Sequence, residues 1–264
     1  MRTLTLTMSS ILFSLLMMFT SCSKEMETLN PTLNPQSEVS QELIDNINSC
    51  SNDFISAGGE SRIPIWLIKL VMMDAIGAID AHNEDGSTTG STVLGAVKAS
   101  LTGGLTLLED GSIFIDPNLT NTYTEKTVPN VNNPFNNYGV NHNMLCASVS
   151  QYSLKKNVDL NQAFLAVTKK DIDVSVLVKK WFSSNNTSKF LAGQGYSQSV
   201  QAILLAYINS ANNIKSTQAF QAYTTNIENL VIANTKLNPI TKESVLIFLS
   251  VAKYSSSFWS EVVK

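Results

Sequence analysis

The segment from Ile65 to about Ala81 is apolar on almost every side, with Trp66, Leu67, Ile68, Leu70, Val71, Met72, Met73, Ile76 and Ile79 distributed around a helix. A helix without a polar stripe must be covered all round, by other elements or by lipid. Lys69, Asp74 and Asp80 lie inside the same segment and argue against a bilayer crossing. It is therefore expected at the centre of a folded domain, and the remaining chain has to supply the elements that wrap it.

Those elements read as helices. Ser37 or Ser40 can cap a helix carrying Val39, Leu43, Ile44, Ile47 and Phe54, and Gly58-Gly59 ends it. Pro64 suits the first turn of the central helix. A turn at Glu84-Asp85-Gly86 leads to a small-residue helix with Val93, Leu94, Val97 and Leu101 inward. Further on, a helix is expected over Asn141–Lys155, and Asp159 with Gln162 makes a capping-box-like start for another. Val174, Leu177, Val178, Trp181 and Phe182 form a helical stripe. Ser197, Ser216 and Thr241 then open three more helices, the last with Val245, Leu249, Ala252 and Trp259 inward. Short links favour antiparallel neighbours, so the expected fold is an all-α, multi-helix antiparallel bundle-like domain. Residues 109–137 break the pattern. Asp110-Gly111, Asp116-Pro117, Pro129 and Asn133-Pro134 punctuate a long irregular loop, in which Ser112–Ile115 suits a short strand. Such a loop inside a compact domain is usually functional or disordered.

The first residues carry a different signal. Arg2 precedes an apolar run, Ile11–Phe19, too short to span a bilayer, which needs ~20 apolar residues. Thr20-Ser21-Cys22 follows, and this anatomy resembles the lipobox of bacterial lipoproteins, with Phe19 departing from the usual aliphatic residue. The resemblance implies a signal peptide at 1–21, cleaved before an acylated Cys22 that holds the protein to a lipid bilayer. Ser23-Lys24-Glu25-Met26-Glu27 looks like the lysine-plus-acidic signal that sends Bacteroidota lipoproteins to the outer surface. Residues 22–36, with Leu29-Asn30-Pro31 and Leu33-Asn34-Pro35, read as the lipidated N-terminus and a flexible tether. A single helical domain over 37–264 follows. The expected location is the outer membrane, facing the surface or the periplasm.

Composition narrows the function classes. Loss of residues 1–21 takes the 18 Lys and Arg of the whole chain to 17 against 21 Asp and Glu, a net charge of −4 in place of −3. Arg62 is then the only arginine. Nucleic-acid recognition needs a basic stripe and relies on arginine, so that class is excluded. Only 15% of the chain is charged and 44% is hydrophobic, which fits a folded domain with a neutral polar surface. Cys50 and Cys146 can form one disulfide in an oxidising compartment or pack as two free thiols.

Few residues carry chemistry. Asn133 to Asn143 delivers a polar loop to a helix start, where free N–H groups can bind an anion and His142 can act as a base or ligand. Tyr138, Asn141, His142 and Asn143 are the candidate binding residues, against the alternative of a capping cluster that fixes the loop. The Gly139-x-x-His142-Asn143 segment and Ser250–Ser255 look similar to uncharacterised Bacteroidota lipoproteins, a resemblance that implies no activity. Cys146 lies one turn after His142, but two ligands do not make a zinc site, and His82 is the only other histidine. Asn83, Asp85 and Gly86 match part of a calcium loop, with Ala81 and Thr92 where carboxylates belong. Ser153-x-x-Lys156 and Ser250-x-x-Lys253 lack the companion motifs of Ser-x-x-Lys enzymes. The glycines between Gly77 and Gly104 suit close helix packing or, alternatively, a membrane-active segment. No metal or cofactor is implied. The leading expectation is a lipid-anchored, non-catalytic binding module whose partner is a glycan, a peptide or another envelope protein. An envelope hydrolase with His142 as general base and a membrane-perturbing antagonism factor are the alternatives.

Overall fold

The structure, a computed structural model, describes Val39 and residues 41–55, 63–84, 88–109, 111 and 123–263. The signal segment, Cys22, the tether, Gly58-Gly59, Asp85-Gly86 and the expected strand at Ser112–Ile115 lie outside them. Among the described residues the fold is all-α and contains no strand. The helices are α1 (Gln41–Cys50), α2 (Asn52–Ile55), α3 (Ile65–Glu84), α4 (Thr89–Glu109), α5 (Asn136–Lys156), α6 (Leu160–Thr168), α7 (Ser175–Ser183), α8 (Thr187–Ala192), α9 (Gln198–Ala211), α10 (Thr217–Ala233) and α11 (Pro239–Val262).

Local chemistry sets several of these starts. The side chains of Asp159, Ser197 and Ser216 accept from the backbone N–H groups of Gln162, Val200 and Ala219, satisfying donors that a helix start leaves open. The last helix begins two residues before Thr241, because Asn238 caps the Thr241 N–H at 2.7 Å and Pro239 fits the first turn. Short α8, capped by Asn186, has no counterpart in the sequence pattern.

Helix α3 is central, as its all-round apolarity requires: every residue from Leu70 to Ile79 is buried, and even Asp74 is fully enclosed. It pairs most extensively with α4, and then with α11. The α3–α4 pair is antiparallel: His82 meets Thr92, Gly77 meets Gly95, and Leu70 meets Gly103. Backbones touch at that crossing. A Cβ on Gly95 would lie 2.7 Å from the Gly77 carbonyl oxygen, and one on Gly77 would lie 2.9 Å from that of Gly95. By length and composition α4 could span a membrane, yet it packs against α3 inside the domain. The glycine spacing thus serves helix contact.

Helix α11 is the second central element. It packs on α3, α5, α10 and α9 and is buried from Ser244 to Trp259, including Ser250, Lys253, Ser255, Ser256 and Ser257. Its direction is opposite to α3 (Asp74 to Ser255, His82 to Glu243) and to α10 (Glu228 to Lys253, Ile232 to Lys242). Toward α5 it runs parallel, since Gly139 meets Ser250 and Asn143 meets Tyr254. The same holds between α4 and α5, where Thr89 meets Tyr138, so the bundle mixes antiparallel pairs (α3–α4, α3–α11, α10–α11) with parallel ones (α4–α5, α5–α11).

Gly95→Ala should lower stability by about 1–3 kcal/mol, the usual range for overpacking a tight core, because the added methyl meets backbone and Ala81 rather than a movable side chain. Urea unfolding monitored by circular dichroism measures this. A stability equal to the parent's would show that the crossing has slack.

Candidate functional site

The expected site begins at the asparagine-rich turn before α5. Asn130 Oδ1 accepts from the Asn132 N–H, Asn133 Oδ1 accepts from the Phe135 N–H, and the Asn136 amide donates to the carbonyls of Asn130 and Asn133. These side-chain-to-backbone bonds close the chain into a helix start five residues earlier than expected, at Asn136. His142 consequently sits in the second turn, and the free N–H groups are not beside it. It is fully buried. Of the four candidate binding residues only Asn141 is exposed, while Tyr138, His142 and Asn143 are buried. The sequence pattern expects the helix start, with its open N–H groups, at Asn141 beside His142; the structure places that start at Asn136.

What surrounds His142 is a polar cluster shared by α3, α4, α5 and α11. The Asn143 amide nitrogen donates to the Tyr254 carbonyl at 2.7 Å and to Glu125 Oε2 at 2.6 Å. A carbonyl can only accept, so Asn143 must turn its oxygen toward His142 Nδ1, 2.9 Å away. Nδ1 therefore carries the hydrogen and Nε2 the lone pair. Nε2 lies 3.5 Å from Cys146 Sγ and 3.6 Å from Asp74 Oδ2. Asp74 Oδ2 in turn accepts from the Ser255 hydroxyl and, at 2.9 Å, from Trp259 Nε1, which also lies 3.1 Å from Ser100 Oγ.

Cysteine, histidine and carboxylate side by side suggest a nucleophile and its base, but the electrostatics run the other way. Burial raises the Asp74 carboxyl to about 8 against the hydrogen bonds from Ser255, Trp259 and Ser100. Burial lowers His142 to about 4, opposed by Asn143 and Glu125. Burial, then the Asp74 charge, pushes the Cys146 thiol well above its ordinary range. The three groups are neutral at neutral pH, and the 3.6 Å contact between His142 and Asp74 is not an ion pair. A protonated carboxyl also fits Asp74 Oδ1, which is buried without a hydrogen-bond partner. A thiol held protonated is no nucleophile. None of the clefts described below is lined by Asp74, His142 or Cys146. This arrangement ties helices together.

A second buried network lies beside it. Lys253 Nζ is 2.8 Å from Glu228 Oε2, with neither side chain exposed, and Asn133 Nδ2 donates to Glu228 Oε1 at 2.8 Å. Lys253 is thereby committed to Glu228, while Ser250 bonds the backbone of Gly139 and Asn136, so the two do not form a catalytic pair. Cys50 and Cys146 are both free thiols, one half-buried on α1 and the other buried on α5, so the structure takes the unpaired of the two readings. Among the described residues no three His, Cys, Asp or Glu side chains group as a metal site.

Sequence reasoning missed Asp74 and Glu228 as partners. The available signal was a carboxylate in the middle of a continuous apolar run, which can persist only if something bonds it.

The segment 123–135 is irregular, as expected, and pinned to the domain. Asn130 Nδ2 donates to Asn229 Oδ1 on α10, and Asn133 Nδ2 also reaches the Leu246 carbonyl on α11. Val131, between these anchors, and Val128, two residues before the first, stand out at 91% and 79% exposure. Comparison with protein-family models, curated proteins and solved structures finds no match to this chain.

The buried cluster makes stability depend on pH. The contribution of protonated Asp74 is complete below 3.8 and is lost as pH rises through about 8. The contribution of neutral His142 is complete above 6.5 and is lost as pH falls through about 4. The two oppose each other between 4 and 6.5, leaving the carboxyl alone to act from 6.5 to 8. Urea unfolding at those two pH values should show a loss on the order of 2 kcal/mol, absent in Asp74→Asn. An unchanged decline in the variant would assign the effect to other groups.

Proposed function

We propose that the chain is a lipid-anchored envelope protein that acts as a non-catalytic interaction module, held to a bilayer through acylated Cys22 on a proline-containing tether. The observation that carries this reading is the contrast between its two polar regions. The acid–base groups that a hydrolase would use are neutral and closed off in the core, whereas the 123–135 segment is bonded rigidly and offers Val128 and Val131 to solvent. Exposed apolar side chains on an ordered loop supply contact area with little ordering cost.

The partner is a protein or peptide rather than a glycan. Among the described residues, the large exposed apolar side chains are Ile65, Val128, Val131, Met144, Leu154, Leu165, Val176 and Ile240. None is aromatic, so the flat ring on which a sugar would stack is missing from that set. Aliphatic anchors beside asparagine amides suit a polypeptide, whose backbone offers both donors and acceptors.

The test uses the full chain in intact envelopes. Replacing both valines (Val128→Asp with Val131→Asp) should reduce crosslinked capture of a protein partner at least about tenfold, the effect of ~1.4 kcal/mol. Stability should change by no more than about 0.5 kcal/mol, because both sites are exposed. Capture that survives the double substitution would place the contact surface elsewhere.

A further inference from the structure

A cleft of about 540 Å³ opens where the start of α3 meets α7 and the end of α9. That volume falls within the ~300–1,000 Å³ typical of small-molecule sites. Its walls are mainly apolar: Ile63, Ile65, Ile68 and Ile208 with the Trp181 ring. The indole is fixed, since Trp181 Nε1 donates to the Lys69 carbonyl at 2.8 Å and Phe190 packs edge-on at 4.9 Å between centroids. Ile65 is 73% exposed, an apolar side chain left at the mouth.

Charge distinguishes this cleft from the others. Lys69 lines it half-buried, and its ammonium has no hydrogen-bond or ion-pair partner among the described residues. Among the described residues no carboxylate lines it. The depression next to it shares Ser184 and adds Lys180 and Lys189, again without a carboxylate. In a chain with more acidic than basic residues this is a local reversal. The clefts between α1 and α10 include Asp53 and Glu42 instead. The first turn of α3 adds the partial positive charge of a helix start.

We infer that this cleft binds a small amphiphilic anion, an alkyl carboxylate whose chain lies against the isoleucines and Trp181 and whose head pairs with Lys69. An ammonium at the edge of an apolar wall gains most from a ligand that brings its own charge and covers the wall at once. This site is separate from the valine-bearing segment and does not depend on the partner proposed for it.

The experiment is a calorimetric titration of the full chain carrying Cys22→Ser, so that no acyl group is added. Decanoate, decanol and decyltrimethylammonium are compared below their micelle concentrations. Saturable binding of decanoate is expected, weakened about tenfold or more in Lys69→Gln, with decanol and the cation similarly weaker. Ile65→Glu, at an exposed position that the fold tolerates, should also abolish binding by placing a carboxylate at the mouth. Absence of saturable binding, equal binding of decanol or the cation, or unchanged affinity in either folded variant would overturn the assignment.

Discussion

The Asp74 carboxyl joins α3 and α11, the two central helices of the bundle. It sits in the most apolar segment of the chain and accepts from Ser255 and Trp259 of α11, while Trp259 reaches Ser100 of α4 and His142 of α5 closes the remaining side. Burying one such group without partners costs several kcal/mol, so the four helices are constrained to a register in which Asp74 Oδ2, His142 and Trp259 find their mates. The close glycine crossing of α3 and α4 lets Ser100 come near, and bare Gly139 allows α5 to approach Ser250 and Tyr254. Apolar burial supplies most of the stability; this cluster selects one arrangement among many that would bury similar area.

The same cluster governs what the protein can do. Groups that resemble a catalytic set are present, yet the environment that binds the helices also keeps the thiol, imidazole and carboxyl uncharged. Chemistry of the nucleophilic kind requires the opposite bias, a depressed thiol or a poised base with access to substrate. The contacts we propose lie at the surface instead: the pinned segment around Val131 and the cleft beside Trp181.

Much of the fold is legible from local rules. The caps at Asp159, Ser197 and Ser216 are short-range chemistry, and the all-round apolarity of residues 65–81 requires a covered helix whatever the partners are. Helix α11 was harder to read. Ser250, Lys253 and Ser255 to Ser257 look like a solvated face, and only long-range partners such as Glu228 and Asp74 make their burial affordable. His142 misled for a related reason. The amide bonds of Asn130, Asn133 and Asn136 start the helix early, and a shift of five residues moves a side chain from a loop edge into the core. Parallel contact between α5 and α11 depends on the same long-range pairs and leaves no trace in spacing.

Thiol reactivity of Cys146 tests most directly whether the cluster is structural. Under native conditions a small alkylating reagent such as iodoacetamide, followed by peptide mass mapping, should label half-buried Cys50 while Cys146 reacts only as fast as the domain unfolds. Its rate should rise in parallel with the unfolding rate across a urea series. Rapid alkylation of Cys146 in the folded protein, faster than Cys50 and independent of urea, would show an accessible thiolate and contradict the account.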